Sequence, residues 1–140
     1  MSDVPVYLHL PGGSTPPDLG GPSPFRAVVM VEQIVPLEWQ MAVSDWLVRS
    51  GCLSMMAWGR DCGYWDDSVD LASLRILGYG EIPDDQLVMT SWHEHESLSD
   101  VFSFSKRHAF HSEVELQRTL LVHIADRSQE PYMLRTYAEA

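Results

Sequence analysis

The hydrophobic pattern of this chain changes period repeatedly, from short continuous apolar runs to a three-to-four-residue spacing and back, and that alternation narrows the fold more than any other feature. RAVVMVE (26 to 32) and CLSMMAW (52 to 58) are nearly unbroken apolar runs, as expected of strands covered on both faces. Between them Pro36 can open a helix that carries Trp39, Val43, Trp46 and Leu47 at helical spacing and stops at Gly51. Asp66, Asp67 and Ser68 can cap a second helix through Leu77, which GYG ends. QLVMTS (86 to 91) reads as a third strand. Ser97 and Asp100 then approximate a capping box, and Leu98, Val101, Phe102, Ser105 and Ala109 mark one helical face, with Lys106, Arg107 and His108 in the last turn. RTLLVHIA (118 to 125) predicts another strand, and a final helix is expected over Ser128 to Tyr137. VPVYLHL (4 to 10) alternates and fits a sheet edge, because Pro5 has no amide to donate.

Strands that alternate with helices argue for parallel pairing, since a parallel neighbour can be reached only by a crossover and the crossover is usually helical. The expectation is one α/β domain over residues 1 to 140: a three-layer architecture with a mostly parallel sheet of four to five strands and helices on both faces, flavodoxin- or Rossmann-like. At 140 residues and 45 % hydrophobic content the chain can build a single sizeable core. PGGSTPPDLGGPSP (11 to 24), where nine of fourteen residues are proline or glycine, is a loop. It is not a phosphate cradle, because Phe25 after it leads into a strand and not into the first turn of a helix. GxGxxG, GxxxxGK[ST] and GxSxG are all absent.

Charge sorts the partner classes. The net charge is −11, and residues 61 to 100 hold ten acids against the single base Arg75. Nucleic-acid phosphates require a basic patch, so direct nucleic-acid recognition is not expected of so acidic a chain. No apolar run approaches the ~20 residues of a membrane span, and the first residues do not read as an export signal. Cys52 and Cys62 fall at opposite ends of a predicted strand and its following loop, too far apart for a disulfide, so a reducing cytoplasm is expected.

In open α/β sheets ligands bind beyond the carboxyl ends of the strands. That edge should gather Glu32 and Gln33, then Trp58, Gly59, Arg60, Asp61 and Cys62, then Ser91, Trp92, His93, Glu94 and His95, and finally Asp126 and Arg127. Glu32, Arg60, Asp61, Cys62 and His93 form the candidate pocket. In an extended segment His93 and His95 would point the same way and could share a zinc-type ion, with Asp61, Cys62 or Glu32 completing its shell. No HExxH or CxxC supports this, and a polar turn is the favoured reading, with no cofactor expected. Cys62 as a nucleophile is disfavoured by Asp61, Asp66 and Asp67 around it. Trp39 and Trp46 share a helix face and read as core. Trp58, Trp65 and Trp92 fall at or beyond strand ends, where they would cap the core, roof a small pocket or anchor an interface.

CLSMMAWGRDCGYWDDSVD (52 to 70) and VMTSWHEHESLSDVFSFSKRHAFH (88 to 111), about a third of the chain, resemble an uncharacterised bacterial family of small αβ proteins of unknown function. The resemblance implies a bacterial, free-standing domain and brings no activity with it.

The sequence thus leads to a non-enzymatic, cytoplasmic domain whose acids Asp66, Asp67, Asp70, Asp84 and Asp85, with Trp58, Trp65 and Trp92, engage a basic protein. An immunity or toxin-neutralising role would suit such a surface, because acid can mask the cationic face of a nuclease. The alternative is a small enzyme or a ligand or metal sensor at the carboxyl edge of the sheet. A third arrangement is a homo-oligomer or larger assembly that buries the tryptophans.

Overall fold

In the computed structural model, which describes residues 4–140, the strands β1 (Val6–His9), β2 (Phe25–Val31), β3 (Cys52–Gly59), β4 (Met89–Trp92) and β5 (Thr119–Ile124) alternate with the helices α1 (Leu37–Ser50), α2 (Cys62–Leu77), α3 (Leu98–Arg107) and α4 (Glu130–Glu139). Residues 1–3, part of the start on which the export reading rests, lie outside the described residues. The strands form one open sheet in the order β1-β5-β2-β3-β4, and every pairing is parallel. Taken from the far edge, β4-β3-β2-β5 is the order of the first four strands of a Rossmann sheet, and β1 from the amino-terminal side fills the place beside β5.

Crossovers of one hand explain the layers. From β2 through β3 to β4 the chain moves in one direction, so α1 and α2 fall on the same face; the return to β5 reverses direction and puts α3 on the other, where α4, which follows β5, packs beside it. The first face buries Val29, Val31, Met55 and Val122 under Val43, Leu47, Trp65 and Val69. Opposite it, Val28, Met30, Met56 and Leu121 pack beneath Val101, Phe102, Met133 and Tyr137. Because β2 is central and covered on both sides, all seven of its residues are buried, which is why its sequence shows no alternation.

Three local expectations need correction. Helix α2 begins at Cys62 and not at Asp66: Cys62, Trp65, Val69 and Ala72 continue one buried face back to the first turn, and Asp61 enters it in the left-handed region at φ 54° without capping through its side chain. Strand β4 starts at Met89, because Pro83 leads into a 3-10 turn at Asp84–Gln86 that takes up the beginning of the predicted strand. Trp39 and Trp46 lie at the margin of the core. Their indole N–H groups donate to Ser14 O (2.8 Å) and Pro17 O (2.7 Å), which pins the proline- and glycine-rich loop against α1.

Candidate functional site

Strand β3 ends where Gly59 turns at φ +97°; a Cβ there would come within 2.2 Å of Val31 O, so no larger residue fits without a shift. Arg60 N–H then donates to Val31 O (2.8 Å), and the chain turns into α2. Beside it, β4 ends at Trp92, and His93 N–H donates to Ala57 O (2.9 Å) before a turn at His95 leads to α3. Ser97 caps that helix by accepting from Asp100 N–H at 3.1 Å, as its sequence predicts.

Between these two strand ends lies a cleft of ≈ 420 Å³. Tyr64 and Trp92, both more than half exposed, supply its aromatic walls, while Asp61, Asp67 and Glu94 supply carboxyl groups; Gly59, Cys62 and Gly63 complete the lining. No lysine or arginine lines it. Aromatic faces beside carboxylates suit a cation, which gains from the ring quadrupole and from charge-assisted hydrogen bonds together. The Cys62 thiol is a poor nucleophile here, because burial holds its pKa above the ordinary value and the Glu94 charge acts in the same direction, outweighing hydrogen bonding from the His93 backbone. Burial also pushes the Cys52 thiol up to about 12, and both cysteines are free.

The candidate pocket of the sequence is only partly assembled. Asp61 and Cys62 reach the cleft, but Arg60 is exposed outside its lining. His93 is buried against Phe104, with Nδ1 2.9 Å from Glu96 Oε2 and Nε2 2.8 Å from Ser91 Oγ. His95 is exposed at φ 67°, so the segment is a turn and the extended geometry that would aim both imidazoles at one ion is not formed. Among the described residues no group of three or more His, Cys, Asp or Glu is placed to hold a metal ion.

The partner-binding set also divides. Asp67, Asp70, Asp84, Asp85 and Trp92 are exposed. Trp65 is 1 % exposed and packs edge-on against Trp39, so it belongs to the core. Asp66 is buried on the inner side of α2, which removes it from the surface; its carboxyl pKa is raised by burial first and by the Asp70 charge second. Trp58 is half-buried and its indole donates to Glu96 O at 2.8 Å, bracing the turn beyond β4.

Glu32 belongs to a different cluster, one the sequence reading did not assemble. At the carboxyl ends of β2 and β5, His123 is fully buried between the Tyr7 hydroxyl, 2.6 Å from Nδ1, and the Glu32 carboxylate at Nε2. Gln129 N–H also donates to the Tyr7 oxygen at 3.0 Å, which ties the start of α4 to the same cluster. Gln33 donates to Asp126 (2.6 Å) and accepts from Gly12 N–H (2.8 Å). This is the topological switch point, where a Rossmann sheet takes its ligand, and here the polar side chains of Tyr7, Glu32, Gln33, His123 and Asp126 are hydrogen-bonded within the chain. The signal was present as His123, which interrupts the apolar run Leu120, Leu121, Val122 and Ile124 of a wholly buried strand. Tyr64 was missed because it precedes the helix start read from Asp66, although the Cys62, Trp65, Val69 spacing places it in the first turn.

The fold and cleft together define an open parallel α/β domain whose carboxyl edge, at β3 and β4, is acidic and aromatic. The chain belongs to a family described as a domain of unknown function, DUF7684, which matches residues 6–140. No curated protein and no solved structure matches it significantly.

Proposed function

We propose that this domain is a non-enzymatic binding protein that receives a cationic side chain of a basic protein partner in the cleft between β3 and β4. The observation that carries the reading is the composition of that cleft: Tyr64 and Trp92 exposed beside Asp61, Asp67 and Glu94, with no lysine or arginine in its lining. Exposed Asp70, Asp84 and Asp85 extend the negative field beyond it, which would steer a basic partner and speed its association. Neutralising a basic toxin in a bacterial cytoplasm is the role we assign to such a surface. The test is the association rate of the isolated partner from low to physiological salt. A rate that falls steeply supports the reading, and an unchanged rate contradicts it.

One observation favours a second reading, a small enzyme. Ser91 Oγ, His93 and Glu96 form a hydroxyl–imidazole–carboxylate chain like that of a nucleophilic hydrolase. None of the three lines the cleft, so the binding reading has the better support. The two separate cleanly, because Ser91→Ala would abolish hydrolysis and leave partner binding intact.

A further inference from the structure

The two edges of the sheet are protected very differently. At β1, Pro5 precedes a four-residue strand on which α4 packs. Strand β4 has β3 on one side and α2 across one face, but among the described residues no strand lies on its outer side. The stretch QLVMTSW (86 to 92) holds no proline and no charge, the usual devices that keep an edge strand from pairing. Its side chains reinforce the point, with Met89 44 % and Trp92 54 % exposed.

Register shows which backbone groups are on offer. His93 N–H is directed to β3 through Ala57 O, so the alternation of the strand turns the amides of Met89 and Ser91 inward and those of Thr90 and Trp92 outward. Acids frame this outward row. Asp67 and Asp70 run along the exposed side of α2, with Thr90 Oγ1 donating to Asp70 at 2.7 Å, while Asp84 and Asp85 precede the strand and Glu94 follows it.

We propose that the partner binds by adding an extended basic segment to the outer edge of β4, as a further strand of the sheet. Main-chain hydrogen bonds to Thr90 and Trp92 would hold the segment, and lysine or arginine side chains on its α2-facing side would meet Asp67, Asp70 and Glu94. Charge complementarity selects this occupant over a second copy of the chain, because self-pairing at β4 would bring the same acids against each other. The proposal rests on the basic-partner reading above and adds the mode of docking.

The probe is a capped peptide of alternating lysine and threonine, with a glutamate–threonine peptide as control, added to the full chain at low salt. Amide hydrogen exchange read by NMR should slow at Thr90 and Trp92 by about tenfold or more with the basic peptide and not with the acidic one. The Thr90→Pro variant removes an outward donor without touching a bond to β3, so it should fold and lose the peptide. If that variant does not fold, exchange in the unaltered chain decides. A basic peptide that perturbs Trp92 fluorescence but leaves both amides unprotected overturns strand addition while the cleft reading stands. Failure of the basic peptide to bind, or a concentration-dependent dimer that protects the same amides without peptide, also overturns it.

Discussion

Thr90 Oγ1 donates a 2.7 Å hydrogen bond to Asp70, and this contact ties the outermost strand to the acidic side of α2. One turn earlier on the same helix, Asp66 is buried with one carboxyl oxygen that has no hydrogen-bond partner among the described residues. Two carboxyl groups four residues apart on α2 therefore have opposite surroundings, one at the surface and paired, the other buried.

Asp66 makes stability fall with pH. Its folded pKa is raised above the ordinary 3.8, so the native state holds the proton more tightly than the unfolded chain. The contribution is favourable below 3.8 and is lost as pH rises through the raised value. Asp66→Asn should melt a few degrees above the parent at neutral pH, on the order of 1 kcal/mol, with the difference vanishing in acid. Thermal melts of both proteins across acid to neutral pH check this.

Trp65 and Trp92 should separate stability from binding. Trp65→Ala empties a core position and is expected to cost about 3–5 kcal/mol in a denaturant titration. Trp92→Ala removes an exposed ring, so stability should change by no more than about 0.5 kcal/mol while partner affinity falls at least about tenfold. Equal stability losses in the two variants would contradict the division of core and surface tryptophans.

Gly59→Ala tests the turn that shapes the cleft. The φ of +97° strains any L side chain by about 1–3 kcal/mol, and contact with Val31 O adds to it. A loss of at least about 2 kcal/mol is expected, measured as a lower denaturant midpoint with unchanged slope.

How far the sequence reveals this molecule depends on which physical signal each residue carries. The continuous apolar runs of β2, β3 and β5 and the Ser97 cap were legible, because burial on both faces and a local hydrogen bond write themselves into adjacent residues. Asp66 misled, since an acid near a helix start is normally a first-turn residue and its burial depends on Asp61 having already begun the helix. The pairing of Tyr7, His123 and Glu32 was not legible, because β1 crosses to the far side of β5 and the network spans 116 residues of sequence. Asp61 and Glu94 share the cleft for a similar reason: adjacency of β3 and β4 is a property of the sheet order and not of either segment alone.

The most direct test of a cationic-partner cleft is native mass spectrometry of the chain purified at low salt from its own host, beside an Asp67→Lys, Glu94→Lys variant that retains the thermal stability of the parent. The account predicts a complex with a basic protein that dissociates as salt is raised and is absent from the variant. A partner retained equally by the charge-reversed chain, or a parent chain found alone at low salt, would contradict it.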